Sequence, residues 1–75
     1  MDHFAALRAL RAIVDAGSFT AAAERLGTTH SAMSRQLRQL EEHLQVRLLD
    51  RTTRRLSLTE AGRDYYREAA TLLDR

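Results

Sequence analysis

Residues 18–44, SFTAAAERLGTTHSAMSRQLRQLEEHL, read as two short helices joined by a tight turn. Ser18 is an N-cap, because its hydroxyl accepts from the free backbone N–H groups of a first helical turn. Phe19, Ala22, Ala23 and Leu26 follow at offsets 0, 3, 4 and 7, which is one helix face. Gly27 stands just past the last apolar residue, where a left-handed C-terminal cap favours glycine. Thr28 and Thr29 can each cap the next helix, with Thr29 the preferred one. In that helix Met33, Leu37, Leu40 and Leu44 fall at offsets 0, 4, 7 and 11, within a narrow apolar arc. Ser31, Ser34, Arg35 and Arg38 fall on the opposite side. A helix built this way packs one side on a small domain and offers the other to a DNA groove. Arginine forks onto guanine O6 and N7, and serine bonds to a phosphate or a base edge. Thr29 and His30 lie at the helix start, where a recognition helix points its residues at bases.

Upstream, Asp2 to about Ala16 reads as a first helix with Asp2 as N-cap and Phe4, Leu7, Leu10, Ile13 and Val14 at helical spacing. Arg8, Arg11 and Asp15 are expected to face solvent, and Gly17 ends the helix. Downstream of Leu44 the period changes. Gln45 to Leu49 is β-prone at its centre, Arg51 to Arg55 lacks apolar residues, and Leu56-Ser57-Leu58-Thr59 alternates as a half-buried strand does. Two short strands around a basic tip make a β-wing. Such a tip reaches the minor groove beside the major-groove site, where narrow A·T-rich DNA attracts arginine.

Thr59 then caps a last helix, with Glu60 in the first turn where the helix dipole favours an acid. Ala61, Tyr65, Ala69 and Leu72 form one stripe, and Gly62, Tyr66, Ala69 and Leu73 an adjacent one. Gly62 costs about 1 kcal/mol relative to alanine inside a helix, so close packing against another helix is the expected reason for it. The apolar face is broader than one domain needs. Its surplus suggests a second copy of the chain, with Tyr65, Tyr66, Ala69, Leu72 and Leu73 as the dimer interface.

The chain has 75 residues and 44% apolar side chains, enough for one small globular domain. A domain this size buries only about 60% of its unfolded surface. The net charge is +2, but its placement carries the information. Residues 28–58 hold six arginines against Glu41, Glu42 and Asp50, while residues 1–27 balance and residues 59–75 are slightly acidic. The positive surplus therefore falls on the second helix and the wing, where phosphates would lie.

Four segments together resemble the LysR-type transcriptional regulators. Ser18 to Leu26 is similar to their second helix, and Ser31-Ala32-Met33-Ser34-Arg35-Gln36-Leu37 with Leu40-Glu41 to the start of their recognition helix. Leu48 to Arg54 resembles their wing, and Leu58-Thr59-Glu60-Ala61-Gly62 the beginning of their linker helix. His30 departs from the pattern, since many members carry Gln or Pro there. The resemblance implies a mainly α fold with a small β-hairpin. A winged helix-turn-helix DNA-binding domain would span 1–59, with the helix-turn-helix at about 18–37 and the wing at about 46–58, and a linker helix would begin in 60–75. It implies a cytoplasmic, nucleoid-associated bacterial protein that binds double-stranded DNA as a homodimer on an inverted repeat. A small-molecule effector is expected only for a C-terminal domain outside this chain. Thr29, His30, Ser31, Ser34, Arg35 and Arg38 would face bases. Arg54 would enter the minor groove beside Arg55. Ser18, Thr20, Arg51, Thr53 and Thr59 would hold phosphates.

The residues point away from other chemistries. With no cysteine there is neither a disulfide nor a thiolate metal site, and His3, His30 and His43 lack ligand spacing. These histidines read as a frayed terminus, a helix start and a solvated helix position. Glu41 and Glu42 are adjacent, point in different directions and make a poor acid–base pair. No phosphate loop and no nucleophile with base and orienter is present, so neither an enzyme nor a cofactor is expected. The rival expectation is a winged-helix protein-interaction module that does not bind DNA specifically.

Overall fold

The computed structural model describes residues 2–50 and 56–74. Four helices and one short hairpin follow in the order α1 His3–Ala16, α2 Phe19–Leu26, α3 His30–Leu44, β1 Leu49–Asp50, β2 Ser57–Leu58 and α4 Glu60–Leu73. Each helix starts on a side chain that satisfies an otherwise free N–H. Asp2 accepts from the Ala5 N–H, Ser18 from Ala21 and Thr29 from Ala32, each at 3.1 Å, and Thr59 from Gly62 at 3.0 Å.

Helices α2 and α3 stop in the same way. Thr28 N–H donates to the Ala23 carbonyl and Gly27 N–H to Glu24; Val46 N–H donates to Glu41 and Gln45 N–H to Glu42. This pair of bonds requires a left-handed residue between helix and turn. Gly27 supplies it at φ 66°, whereas α3 uses Gln45 at φ 55°.

The core is one cluster at the junction of the three N-terminal helices. Leu10 and Ile13 of α1, Ala22 of α2, and Leu37 and Leu40 of α3 are fully buried, and Leu48 closes the bottom. Ala22 and Ala23 are the small residues that let the helices approach. The apolar stripe of α1 begins later than its spacing suggests: Phe4 is exposed, because it lies one turn before Arg8 and Arg11 on the outer arc and not in line with Leu10. Leu26, at the end of the α2 face, is also exposed.

The β-prone run 45–49 contributes less strand than expected. Gln45 and Val46 serve the end of α3, and among the described residues Leu49 pairs with Leu58 and Asp50 with Ser57, antiparallel. Helix α4 packs back across α1. Arg11 Nη1 donates to Asp74 at 2.6 Å, and the Tyr66 hydroxyl donates to Asp15 at 2.5 Å. Arg11, still partly exposed, therefore also ties the first helix to the end of the last.

Candidate nucleic-acid interface

Helix α3 has the two-sided character its sequence predicts. Met33, Leu37 and Leu40 are buried, Leu44 is half-buried, and Ser31, Arg35 and Arg38 are exposed on the other side. Ser34 is half-buried at the border of the two arcs. Among the described residues no ion pair engages Arg35 or Arg38, so both guanidinium forks are available to an outside acceptor. His30 stands exposed at the helix start with its ring leaning on Phe19, centroids 5.4 Å apart.

The exposed hydroxyls of Ser18 and Thr29 accept a backbone N–H and keep their own hydrogen for a further partner. Thr20 is exposed on the first turn of α2. Thr59 differs. Its hydroxyl donates to the Arg47 carbonyl at 2.5 Å, and its N–H donates to the Leu48 carbonyl at 3.0 Å. Both donors are spent inside the chain, which corrects the expectation that Thr59 holds a phosphate. Arg51, Thr53, Arg54 and Arg55 lie outside the described residues.

The expected dimer face also needs correction. Ala69 is fully buried within the chain. Tyr65 and Tyr66 are half-buried, the Tyr65 hydroxyl meeting His3 Nε2 at 2.9 Å and the Tyr66 hydroxyl bonding Asp15. Burial raises the Tyr65 pKa above its ordinary value, and the hydrogen bond to Asp15 raises that of Tyr66. Those three side chains hold α4 on α1. Leu73 is half-buried beside Arg8, Arg25 and Leu26, and Leu72 remains 49% exposed.

Several features escaped the sequence reading. His3 is no frayed end: it bonds Tyr65, and its ring lies 6.3 Å from that of His43. Arg47 lines one cleft with Arg38, adding a cation at the far end of α3. Glu41 is buried, and its Oε2 accepts from the Leu48 N–H at 2.8 Å and the Leu49 N–H at 3.2 Å. The available signal was its place on the helix, four residues after Leu37 and three before Leu44, at the edge of the apolar arc beside Ser34. Gly62 packs against the Leu48 backbone and Leu58, not against another helix. No three His, Cys, Asp or Glu side chains among the described residues come together to hold a metal ion. No described helix is long and apolar enough to cross a membrane.

This arrangement of helices, turn and hairpin has counterparts of known kind. The chain is 54% identical over 61 residues, 81% of its length, to the HTH-type transcriptional regulator CrgA of Neisseria meningitidis serogroup C (strain 8013). It spans about a fifth of that curated relative's length, 20%. Its backbone matches the crystal structure of the BenM DNA-binding domain in complex with benA site 1 DNA, with a TM-score of 0.92 and 38% identity over 96% of this chain and 81% of that one. It also matches the CbnR DNA-binding domain in complex with DNA, with a TM-score of 0.89 and 36% identity over 96% of this chain and 83% of that one. The pattern of bacterial regulatory helix-turn-helix proteins of the lysR family matches residues 4–63, most of the sequence. Its sequence, its capped helix-turn-helix and its paired hairpin agree, and the chain belongs to the lysR family of bacterial regulatory helix-turn-helix proteins.

Proposed function

We propose that this chain is a sequence-specific double-stranded DNA-binding domain of a transcriptional regulator, with α3 lying in the major groove. One observation carries the reading. The α3 arc with Ser31, Arg35 and Arg38 is clear of the protein while the opposite arc makes the core. Thr29, His30, Ser31, Ser34, Arg35 and Arg38 face bases. Ser18 and Thr20 at the start of α2 hold phosphate, as helix N-termini do. Arg51 and Thr53 bind phosphate, and Arg54, with Arg55 beside it, reads the flanking minor groove. Arg47, which lines one cleft with Arg38, Glu41 and Glu42, adds a backbone contact. The DNA complexes of the BenM and CbnR domains support this reading through their likeness to the chain.

Two copies pair through α4 around Leu72 and Leu73, so the operator is an inverted repeat. A regulator that acts on chromosomal DNA resides in the bacterial cytoplasm, with the nucleoid. Selection from random duplexes followed by a salt titration tests the reading. A recovered half-site with log Kd changing by about 0.9 per phosphate contact for each tenfold change in salt supports it. Weak binding with a flat salt response favours a protein-interaction module.

A further inference from the structure

The hairpin cannot orient itself. Among the described residues it has two residue pairs, and an isolated two-stranded hairpin is marginal in water. Its direction is therefore set by what grips its root, and among the described residues two groups do so. From one side, Glu41 Oε2 takes the N–H groups of Leu48 and Leu49. From the other, Thr59 donates to the carbonyls of Arg47 and Leu48. The Thr59 grip belongs to α4. The Glu41 grip belongs to α3, three residues beyond Arg38 and six beyond Arg35. Hydrogen bonds to a carboxylate are shorter and stronger than neutral ones, and burial withholds the water that would replace them.

We propose that Glu41 is a positioning residue for DNA reading: its carboxylate fixes the β1–β2 hairpin relative to the base-facing side of α3. This rests on the DNA-binding reading above and adds a specific dependence to it. Glu41 touches no base. It determines whether the hairpin stands over the flanking base pairs while α3 occupies the groove. A side chain that only stabilised the fold would weaken binding to every duplex alike. A positioning group changes the relation between two readings, so its removal costs discrimination at the flanks and spares discrimination under α3.

The test uses the intact chain and two sets of duplexes built on the selected operator, one varied under α3 and one varied in the flanks. Kd is measured by fluorescence anisotropy, with amide hydrogen exchange read in parallel. For Glu41→Gln, discrimination among the flanks should fall several-fold. Discrimination under α3 should stay within twofold, about 0.4 kcal/mol, and the Leu48 and Leu49 amides should exchange faster while those of α1 keep their protection. A folded Gln variant with unchanged flank discrimination overturns the proposal, as does an equal loss in both sets. If the Gln variant does not fold, Glu41→Asp, which keeps the charge and withdraws it by one methylene, is held to the same outcomes. A wild-type chain that distinguishes no duplexes refutes the DNA-binding reading itself, a result separate from any effect of the variant.

Discussion

Gly62 of α4 lies against the carbonyl of Leu48: a methyl group placed on Gly62 would sit 2.0 Å from that oxygen. The same oxygen accepts the Thr59 N–H at 3.0 Å, so it is held in place from the α4 side. Two effects compete in Gly62→Ala. Helix propensity favours alanine by about 1 kcal/mol. Overpacking against a backbone that cannot swing aside costs about 1–3 kcal/mol or more, and at this separation it wins. Gly62→Ala should lower Tm, by about 4–8 °C for each net kcal/mol in a domain of this size. A Tm at or above that of wild type would show that the hairpin root yields freely.

Gln45 gives the opposite expectation. It holds the left-handed conformation that Gly27 holds at the end of α2, with the same two terminal hydrogen bonds. A side chain there costs about 1–2 kcal/mol that glycine avoids, offset in part by the greater freedom of glycine in the unfolded chain. Gln45→Gly should stabilise by about 0.5–1 kcal/mol, the left-handed cost less the entropic cost of glycine, as read by urea unfolding. An unchanged or lower midpoint contradicts this.

Arg35 is exposed and makes no ion pair among the described residues. Arg35→Ala should therefore leave stability within about 0.5 kcal/mol. It should weaken specific DNA binding by about 1–3 kcal/mol and relax base preference at one position. Competition binding against single-base operator variants checks this. An equal loss on every duplex would make Arg35 a phosphate contact.

Tyr66 ties stability to alkaline pH. Its hydrogen bond to Asp15 needs the phenolic proton and raises its pKa above the ordinary value of 10.0. A folded-state pKa above the unfolded one contributes stability that is complete below the unfolded pKa and is lost as pH rises through the folded one. Wild type should thus lose stability above pH of about 10 more steeply than Tyr66→Phe. Urea midpoints on both sides of that pH measure the difference, and parallel curves would assign the alkaline loss to other groups.

Leu72 tests the pairing of two copies. It is 49% exposed, while Ala69 on the same helix is buried in its own chain. Leu72→Glu should weaken self-association in sedimentation equilibrium and leave the monomer folded. Retained self-association would move the interface away from this end of α4.

What the sequence made legible was local. Asp2, Ser18, Thr29 and Thr59 were readable as caps because a cap and its N–H are three residues apart. The apolar arc of α3 was readable because helical period alone places Met33, Leu37 and Leu40 together. What escaped depends on distant partners. Arg11 meets Asp74 63 positions away, and His3 meets Tyr65 62 positions away. Glu41 carries a charge at the edge of the apolar arc, and only the later turn of the chain brings it two N–H groups. Thr59 is legible as a cap, but the Arg47 carbonyl that takes its hydroxyl hydrogen, 12 residues back, is not visible in the linear order, and without it Thr59 reads as one more phosphate contact.

The separation of arcs on α3 has an evolutionary consequence. Leu37 and Leu40 maintain the architecture, whereas Arg35 and Arg38 are exposed and make no ion pair among the described residues. Substitutions among the outward residues can rewrite which operator is chosen without first having to be compensated in the interior. One scaffold of this kind can therefore diversify into many addresses on a chromosome by changing a handful of side chains.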